Sequence, residues 1–538
     1  MTMMPPAEAL AFALTRLHDL PALSARLGTP LAAEDIAAIL EEAARFAEER
    51  IAPGRVEADR AGCMIENGVV RTPPGYAPLL AEWRAAGWQG IAAPEAHGGQ
   101  GLPHAMLTSV FELATSADMS FALMPMLTAG AIELLVHHAT EDQAARLLPP
   151  LVSAAWNGTM CLTEPQAGSD LSTIRTRAVP DGDGGYRITG GKIYITWGEN
   201  DLAENTLHLV LARLPDAPPG SRGISLFAVP KVLADGRRNG VRCGGIERKP
   251  GIHACPTCTM LFEEAEAELV GEANRGLPAM FAMMNAARLA VGVEGVGQCA
   301  RATLLAEAYA SDRVQGGRPI AEYPDVARML AEMRAVTHAA RLLSLDAAVA
   351  IDRARAGEAG AEARLALLTP IVKAWCTDRG VEVASIGIQV HGGAGYVEDS
   401  GAAQIWRDAR IAPIYEGTNG IQAMDLLVRK LPRALPDFLA LVAEAGTSDP
   451  ALRGPAEALS RAATRLAAAG PEEAGAAAAP FLDAAGWVLG GGWMARAAAA
   501  EPALAADAGF FLRRLLPRAE ARLVEALADA SIAAVAGA

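Results

Sequence analysis

The stretch Leu162-Thr163-Glu164-Pro165-Gln166-Ala167-Gly168-Ser169-Asp170 lies where a helical sequence pattern changes into a strand pattern. Pro165 fixes one backbone φ angle and Gly168 permits a positive φ. Ser169 and Asp170 can cap the segment that follows. Such a loop can direct N–H groups and hydroxyls toward one point, which suits a phosphate or the polar edge of a heterocycle. An ordinary connection rich in Pro and Gly fits the same residues equally well.

The chain on the N-terminal side of this loop has a helical pattern. Between residues 35 and 47 the apolar side chains recur at helical spacing, with glutamates on the other face. Another helix opens at Glu141 and is expected to stop before Pro149-Pro150. The first 150 or so residues are therefore predicted to be helical.

The pattern after the loop changes to short alternating runs and Gly-rich turns, as far as about residue 270. The run Lys192-Ile193-Tyr194-Ile195-Thr196 alternates at period two, and residues 207–214 and 223–229 supply further strands. A β domain is therefore predicted in the middle of the chain.

Helical spacing returns from about residue 276 to about residue 431. One helix is predicted to start at Thr369-Pro370 and to end at Gly392-Gly393. The Ala-rich remainder is predicted to form an appended helical unit. The predicted fold class is mainly α with a central β domain, divided at residues 1–157, 158–270, 271–431 and 432–538.

The whole-chain numbers argue against several classes of protein. At 538 residues the chain is too long for a single core, and its net charge of −15 disfavours nonspecific nucleic-acid or membrane-surface binding. The apolar stretch 121–136 contains Pro125 and Glu133 and is predicted to be too short for a bilayer, which needs about 20 residues. No signal-peptide pattern is present, so a cytoplasmic protein without nucleic-acid or membrane partners is expected.

The seven cysteines are odd in number and widely spaced, which suits reduced thiols. Only His253, Cys255 and Cys258 have a spacing like that of metal ligands, and no second ligand pair follows. No metal site is predicted.

Gly292, Gly295 and Gly297 resemble a dinucleotide fingerprint only superficially. They lie inside a helical run, with no strand before them and no βαβ unit after them. Close approach of two helices at these glycines is the preferred interpretation.

The segment Tyr415-Glu416-Gly417-Thr418-Asn419-Gly420 places a carboxylate beside an aromatic ring and a Gly/Thr/Asn-rich turn. Apolar neighbours remove water from a carboxylate, so the pKa of Glu416 should rise toward the range of a base that works near neutral pH. Glu416 is therefore a candidate general base, although turns of this kind usually carry no chemistry.

Four segments in one order resemble the motif set of the acyl-CoA dehydrogenase family, over roughly residues 35 to 430. Details at residues 251–258 and 283–289, with the Ala-rich C-terminal extension, resemble the branch that includes the methylmercaptopropionyl-CoA dehydrogenases. The four segments are Leu162-Thr163-Glu164-Pro165-Gln166-Ala167-Gly168-Ser169-Asp170, Gly190-Gly191-Lys192-Ile193-Tyr194-Ile195-Thr196, Gln389-Val390-His391-Gly392-Gly393-Ala394-Gly395-Tyr396 and Arg407-Asp408-Ala409-Arg410-Ile411-Ala412-Pro413-Ile414-Tyr415-Glu416-Gly417-Thr418-Asn419.

The resemblance implies a barrel-like middle domain, a C-terminal four-helix bundle, and a noncovalent FAD between them. Tyr194 stands where many relatives have a tryptophan that stacks on the flavin. Gln389, Gly392 and Gly393 match a loop that reaches the FAD of a neighbouring subunit, so a homodimer or higher homo-oligomer is expected. The full set of implied cofactor-binding residues is Leu162, Thr163, Gly168, Ser169, Tyr194, Thr196, Arg313, Gln389, Gly392, Gly393 and Thr418.

The same resemblance makes Glu416 the catalytic base for oxidation of an acyl-CoA to the trans-2-enoyl-CoA, with 3-methylmercaptopropionyl-CoA as one possible substrate. Some relatives carry the base on a helix, immediately before an arginine that matches Arg288, but this chain has Ala287 there. Arg288 and Asn285 match substrate-binding positions. Asn285 replaces an aspartate that contacts CoA in many relatives, so the resemblance implies a weakened or altered contact there.

The implied electron acceptor is an electron-transferring flavoprotein. Three alternatives stay open at this point. An acyl-CoA oxidase would use the same base and return electrons to O₂. An alkylation-response flavoprotein that binds DNA would share the long extension, but the acidic chain disfavours it. A binding-only relative without activity is disfavoured by the presence of Glu416 and Thr196.

Overall fold

The computed structural model of the protein describes residues 2–182 and 184–528. They fall into two compact units, which are called the helical unit and the sheet unit. The helical unit comprises Met1–Ala47, Pro103–Ala117 and Arg288–Ala538, and the sheet unit comprises Glu48–Leu102 and Asp118–Ala287.

The strands and helices are given in chain order. The strands are β1 (Met64–Glu66), β2 (Val69–Arg71), β3 (Trp156–Cys161), β4 (Arg177–Pro180), β5 (Tyr186–Thr196), β6 (Asn205–Arg213), β7 (Ile224–Pro230), β8 (Val241–Ile246), β9 (Thr257–Val270), β10 (Val314–Gln315) and β11 (Arg318–Pro319). The α-helices are α1 (Pro6–Phe12), α2 (Leu20–Arg26), α3 (Ala33–Phe46), α4 (Arg55–Ala61), α5 (Tyr76–Ala85), α6 (His104–Ala117), α7 (Met119–His138), α8 (Glu141–Val152), α9 (Gly276–Asp312), α10 (Pro324–Arg355), α11 (Ala361–Ile371), α12 (Thr377–His391), α13 (Ala402–Ala409), α14 (Asn419–Met424), α15 (Leu431–Gly446), α16 (Arg453–Ala467), α17 (Pro471–Ala500), α18 (Ala505–Phe510) and α19 (Pro517–Ala526). π-helical segments occupy Ala13–Leu17, Ala47–Ile51, Val372–Cys376, Asp425–Lys430 and Phe511–Leu515.

The main sheet closes on itself. Strands follow one another in the order β3-β6-β4-β5-β9-β7, and β7 also pairs with β6, so five of them form a closed circuit. β3 runs parallel to β6 from the pair Trp156↔Asn205, and β8 is antiparallel to β9. Closure removes unpaired edges, as in a β-barrel. The predicted mainly α fold with a central barrel-like β domain is confirmed.

Strand β6 is buried along nearly its whole length because both of its faces are covered. Leu207, Leu209 and Leu211 pack in one cluster with residues of α7 and α8. Val210 and Ala212 belong to a second cluster with inward residues of β5, β7 and β9. The unbroken apolar run in the sequence therefore follows from burial on two sides.

Helix α10 lies at the centre of the helical unit, packed against α6, α12 and α17. The appended helix α17 also packs against α14. A Cβ atom on Gly486 of α17 would lie 2.3 Å from the Trp375 ring, and the Trp375 and Trp487 rings meet edge to face at 5.2 Å. Glycine in α17 thus allows the appended helix to lie directly on the segment Val372–Cys376.

The glycines of α9 permit close helix packing, as predicted. A Cβ on Gly292 would lie 2.6 Å from Val372 Cγ1, and one on Gly295 would lie 2.3 Å from the carbonyl oxygen of Cys376. These separations are shorter than van der Waals contact, so a larger side chain at either position requires the backbone to move.

The helix predicted to start at Thr369-Pro370 does not start there. Helix α11 runs through both residues into the π-helical segment Val372–Cys376. Proline has no N–H, so the carbonyl of Ala366, four residues earlier, loses its usual donor. The Lys430 ammonium group donates to that carbonyl at 2.7 Å instead. A tertiary contact thus compensates the proline, and the prediction was wrong.

Two other helix ends were predicted from Pro and Gly. Helix α8 continues through Pro149-Pro150 to Val152, so the expected stop was wrong. Leu148 and Leu151 of this last turn are buried in the core, which holds the turn despite the missing N–H groups. The predicted end of α12 is confirmed at His391, followed by Gly392 with φ 60°.

Two helices of the described residues, α7 and α9, are long and apolar enough to cross a membrane by length and composition alone. The most apolar parts of these helices are 78% and 50% buried inside the protein, respectively. The expectation that the stretch around 121–136 is too short was wrong, since Pro125 does not interrupt α7 and the helix has 20 residues. The seven cysteines, all within the described residues, form no disulfide.

We predict opposite effects of alanine at two helical glycines. Gly295→Ala should lower the free energy of unfolding by about 1–3 kcal/mol, because the new methyl group overlaps the backbone of Cys376. The matched control is Gly454→Ala in α16, where nothing lies within 4 Å of the added Cβ. This control should be neutral or stabilising by up to about 1 kcal/mol. Thermal unfolding midpoints check both, and equal midpoints would contradict the packing role of Gly295.

Candidate active site

Glu416 has an unusual backbone conformation. It lies in the connection between α13 and α14 with φ 55°, and Gly417 follows with φ 85°. A side chain larger than glycine in this left-handed region costs about 1–3 kcal/mol and persists only where neighbours enforce it. Thr418 then starts α14, because its hydroxyl accepts a hydrogen bond from the Ile421 N–H at 3.3 Å.

Two side chains hold the backbone of Glu416. Its carbonyl oxygen accepts hydrogen bonds from Arg288 Nε at 3.4 Å and from Gln422 Nε2 at 3.3 Å. Burial raises the pKa of the Glu416 carboxyl to about 7, against the opposing effects of the Arg288 and Lys373 charges. A carboxylate with this pKa can accept a proton efficiently near neutral pH. Glu416 thus has the property that the sequence predicted for it.

A second carboxyl group lies beside the first. Glu294 of α9 is 1% exposed, and its Oε2 accepts a short hydrogen bond from the Tyr415 hydroxyl. Burial raises the pKa of Glu294 to about 8, and the Tyr415 hydrogen bond opposes the shift. Sequence reasoning missed this residue. The available signal was a single charged side chain within the small and apolar residues 289–297 of a helix.

Lys373 was also missed. Its side chain is completely buried in the π-helical segment Val372–Cys376, and its Nζ donates to Asn419 Oδ1 at 2.9 Å. Burial lowers the pKa of Lys373 to about 8, although Glu294 and Glu416 oppose the change. Asn419 in turn donates to Asp378 Oδ1 at 2.8 Å. Polar contacts of Asn419 with Lys373 and Asp378 therefore fix the segment that follows Glu416 on the helical unit.

In the sheet unit, a buried ion pair fixes the loop that begins at Leu162. Lys192 Nζ donates to the Leu162 carbonyl and to Glu164 Oε1, both at 2.9 Å, and neither charged side chain is more than 4% exposed. Glu164 also accepts from the N–H and hydroxyl of Thr176. Burial alone would raise the pKa of Glu164, but the Lys192 charge and these hydrogen bonds lower it to about 2. These contacts therefore hold the loop against Lys192 of β5.

Tyr194 interrupts the regular strand β5. Its φ is 61°, its side chain is 60% exposed, and the register with β9 shifts between Lys192 and Ile195. Such a bulge redirects one side chain away from the pleat. The Ile193 N–H donates to the Thr163 carbonyl at 2.9 Å, so the loop and the bulge are adjacent. Thr196, at the end of β5, pairs with Thr257.

The other predicted residues lie in several places. Arg313 follows α9, and Gln389 lies on α12. The Tyr309 and His391 rings stack at 4.5 Å, which brings the end of α9 close to the Gly392-Gly393 turn. The remaining predicted residues with exposed side chains or backbone are Gly168, Ser169, Asn285, Gly392, Gly393 and Thr418. Within residues 2–182 and 184–528, no group of three His, Cys, Asp or Glu side chains is arranged to hold a metal ion.

Models of the acyl-CoA dehydrogenase family match three parts of the chain: the N-terminal domain at 33–155, the middle domain at 159–265 and the C-terminal domain at 274–431. The 3-methylmercaptopropionyl-CoA dehydrogenase of Ruegeria pomeroyi is 45% identical over 96% of this chain and 94% of its own length. The broad-specificity linear acyl-CoA dehydrogenase FadE5 of Mycobacterium tuberculosis is 35% identical over 73% of this chain and 69% of its own length.

A solved structure of an acyl-CoA dehydrogenase complexed with FAD, from Bacillus anthracis, has the same fold with a TM-score of 0.77. It is 23% identical and covers 91% of this chain and 87% of its own. The predictions of the family, of the enzyme class and of FAD as the cofactor are confirmed. The chain belongs to the acyl-CoA dehydrogenase family.

Proposed function

We propose that the protein oxidises an acyl-CoA thioester to the trans-2-enoyl-CoA, with Glu416 as the base that removes the α-proton. The observation that carries this proposal is the desolvated Glu416 carboxyl, whose pKa is about 7, on a backbone held in the left-handed region. We further propose 3-methylmercaptopropionyl-CoA as a substrate. The support is the Ruegeria pomeroyi relative, which is similar over nearly the full length of both chains.

The α-hydrogen of a thioester is a very weak acid, so the base needs help. A positioned general base increases the reaction rate by roughly 10²–10⁴-fold. The backbone N–H of Glu416 is proposed to donate to the thioester carbonyl, where one donor to a developing oxyanion contributes about 3 kcal/mol. The Arg288 and Gln422 side chains hold the Glu416 carbonyl, which lies in the peptide group that follows this N–H. Binding and proton removal thus depend on the same short segment.

The sheet unit fits a flavin ring. Tyr194 presents an exposed aromatic side chain at a bulge, and the adjacent loop at Leu162 and Thr163 is held rigid by Lys192. We propose that Leu162, Thr163, Tyr194 and Thr196 bind the flavin and that Ser169 binds its phosphate. We also propose that FAD is bound by Arg313, Gln389, Gly392, Gly393 and Thr418. When bound, FAD supplies the acceptor for the β-hydride at N5.

An electron-transferring flavoprotein is the proposed electron acceptor, and a cytoplasmic homodimer is the proposed form of the protein. The seven cysteines without a disulfide support a reducing compartment. The net charge of −15 disfavours a DNA-binding role. Asn285 and Arg288 are proposed to contact the CoA part of the substrate.

Glu416→Gln should keep bound FAD and lose about 10²–10⁴-fold in the rate of flavin bleaching by acyl-CoA, because glutamine cannot accept the proton. In the unmodified enzyme this rate should rise with pH through about 7, as the Glu416 carboxyl ionises. Anaerobic stopped-flow absorbance measures both. The control is Glu457→Gln, at a surface carboxylate that is 63% exposed. Bleaching at an unchanged rate in Glu416→Gln would show that Glu416 is not the base that removes the α-proton.

Tyr194→Ala should lower FAD affinity by roughly five- to tenfold, because an aromatic stacking contact contributes about 1 kcal/mol beyond the area it buries. Tyr194→Trp should keep the affinity, since tryptophan also offers a stacking face. The side chain is 60% exposed, so neither change should disturb the fold. Flavin content and equilibrium binding of FAD to the apoprotein measure the effect. Equal affinity of the alanine variant would contradict a stacking role.

A panel of acyl-CoA thioesters of different length, branching and sulfur content should bleach the flavin fastest with 3-methylmercaptopropionyl-CoA. Preference for a straight chain without sulfur would contradict the proposed substrate.

Slow peroxide formation in air, with rapid reoxidation by an electron-transferring flavoprotein, is expected of a dehydrogenase. Rapid peroxide release would identify an oxidase instead.

A further inference from the structure

The proposed base lies at the middle of a short closed loop. The Asn419 backbone N–H donates to the Pro413 carbonyl at 3.0 Å, and Glu416 lies three residues from each of these two residues. Joining the ends of a compact loop limits the conformations of the residue at its centre. The position of Glu416 therefore depends on what holds the point at which the loop closes.

The side chain of Asn419 holds this point on the helical unit. Its Oδ1 accepts a hydrogen bond from Lys373 Nζ at 2.9 Å, and its Nδ2 donates to Asp378 Oδ1 at 2.8 Å. The same Nδ2 lies 3.1 Å from both the Ala374 carbonyl oxygen and Thr377 Oγ1. All four partners lie where the π-helical segment described above joins α12.

The two charged partners determine the orientation of the Asn419 amide. An ammonium group can only donate hydrogen bonds, and an ionised carboxylate can only accept them. Lys373 therefore requires the amide oxygen on its side, and Asp378 requires the amide nitrogen on the other. Because the Lys373 side chain is completely buried, loss of its hydrogen bond would be costly. One orientation of the amide is thereby favoured.

The anchor point is an irregular part of a helix. π-helical turns inside α-helices are rare and occur frequently at functional sites. The turn Val372–Cys376 supplies two of the four contacts of the Asn419 amide, through the Lys373 ammonium group and the Ala374 carbonyl. The irregular turn and the loop of the proposed base are therefore joined through one side chain.

We propose that Asn419 is a positioning residue for the base: its backbone closes the loop around Glu416, and its side chain, oriented by Lys373 and Asp378, holds that loop in place. The proposal rests on the proposed function, in which Glu416 removes the α-proton. Asn419 takes no part in the proton transfer and acts by keeping the Glu416 carboxyl within reach of the substrate. Displacement of a catalytic group by about 1 Å can lower the rate about 10²-fold.

The first test uses the full-length holoenzyme with Asn419→Ala, which keeps the backbone N–H and removes the side-chain contacts. The rate of flavin bleaching at saturating acyl-CoA should fall by about 10- to 100-fold, because the base is less often placed for proton removal. The acyl-CoA concentration for half-maximal rate should stay the same, since Asn419 has no proposed contact with the substrate. An unchanged saturating rate, or a loss confined to that concentration, would overturn the proposal.

Asn239→Ala is the matched control in the sheet unit. Asn239 is 6% exposed, and its Nδ2 donates to the carbonyls of Pro230 in β7 and Glu266 in β9, at 2.8 and 2.9 Å. Its replacement also removes the hydrogen bonds of a buried amide, so the unfolding temperature should fall. The bleaching rate per bound FAD should not change. An equal loss of rate in both variants would show that general destabilisation explains the effect, and would overturn the proposal.

A charge exchange tests the contact between Asn419 and Asp378 and decides the proposal if Asn419→Ala does not fold. Asn419→Asp keeps an acceptor for Lys373 but places a second carboxylate beside Asp378 and removes the donor to it. Its bleaching rate should fall. Adding Asp378→Asn returns the total charge to its original value and supplies a donor from the other side, so the rate should partly recover. A double variant no faster than Asn419→Asp would overturn the proposal.

Hydrogen exchange of backbone amides gives a readout that does not depend on turnover. The amides of residues 414–418 should exchange faster in Asn419→Ala than in the unmodified holoenzyme, because the loop opens more often. Exchange at the same rate in both proteins would overturn the anchoring role. Failure of the proposed function is distinguishable, because Glu416→Gln would then retain bleaching while loop exchange in Asn419→Ala would still increase.

Discussion

The candidate site depends on one constrained peptide. Glu416 keeps a left-handed backbone because donors from Arg288 and Gln422 hold its carbonyl and Glu294 holds the preceding Tyr415. Burial removes water from the carboxyl group and raises its pKa to about 7. The hydrogen bonds thus account for the backbone conformation, and burial accounts for the raised pKa.

The sheet unit reaches rigidity by a different route. Lys192 is surrounded by protein, so its charge is acceptable only because Glu164 and the Leu162 carbonyl pair with it. A charge pair of this kind adds little net stability, but it makes alternative loop conformations costly. Tyr194 lies at a bulge of β5, two residues after Lys192. The loop held by Lys192 thus lies next to the exposed Tyr194 side chain.

Local patterns in the sequence predicted much of this structure. The change from helix to strand, the barrel-like β domain and the close packing at Gly292 and Gly295 follow from residue type and spacing. Contacts between distant parts of the chain were not predictable in this way. Helix α11 continues through Pro370 with the help of Lys430, which lies sixty residues later in the chain. The importance of Glu294 becomes visible only from its hydrogen bond with Tyr415, which is also distant in sequence. The boundaries of the four predicted domains stay a prediction.

The Gly486 contact has a consequence for how this protein can be shortened. Because α17 lies directly on Trp375 and also covers α14, a chain ending near Leu431 would expose two buried faces next to the segment that carries Lys373. The Ala-rich helix α17 therefore covers the segment Val372–Cys376 and α14. A shortened chain must retain α17 if these faces are to stay covered.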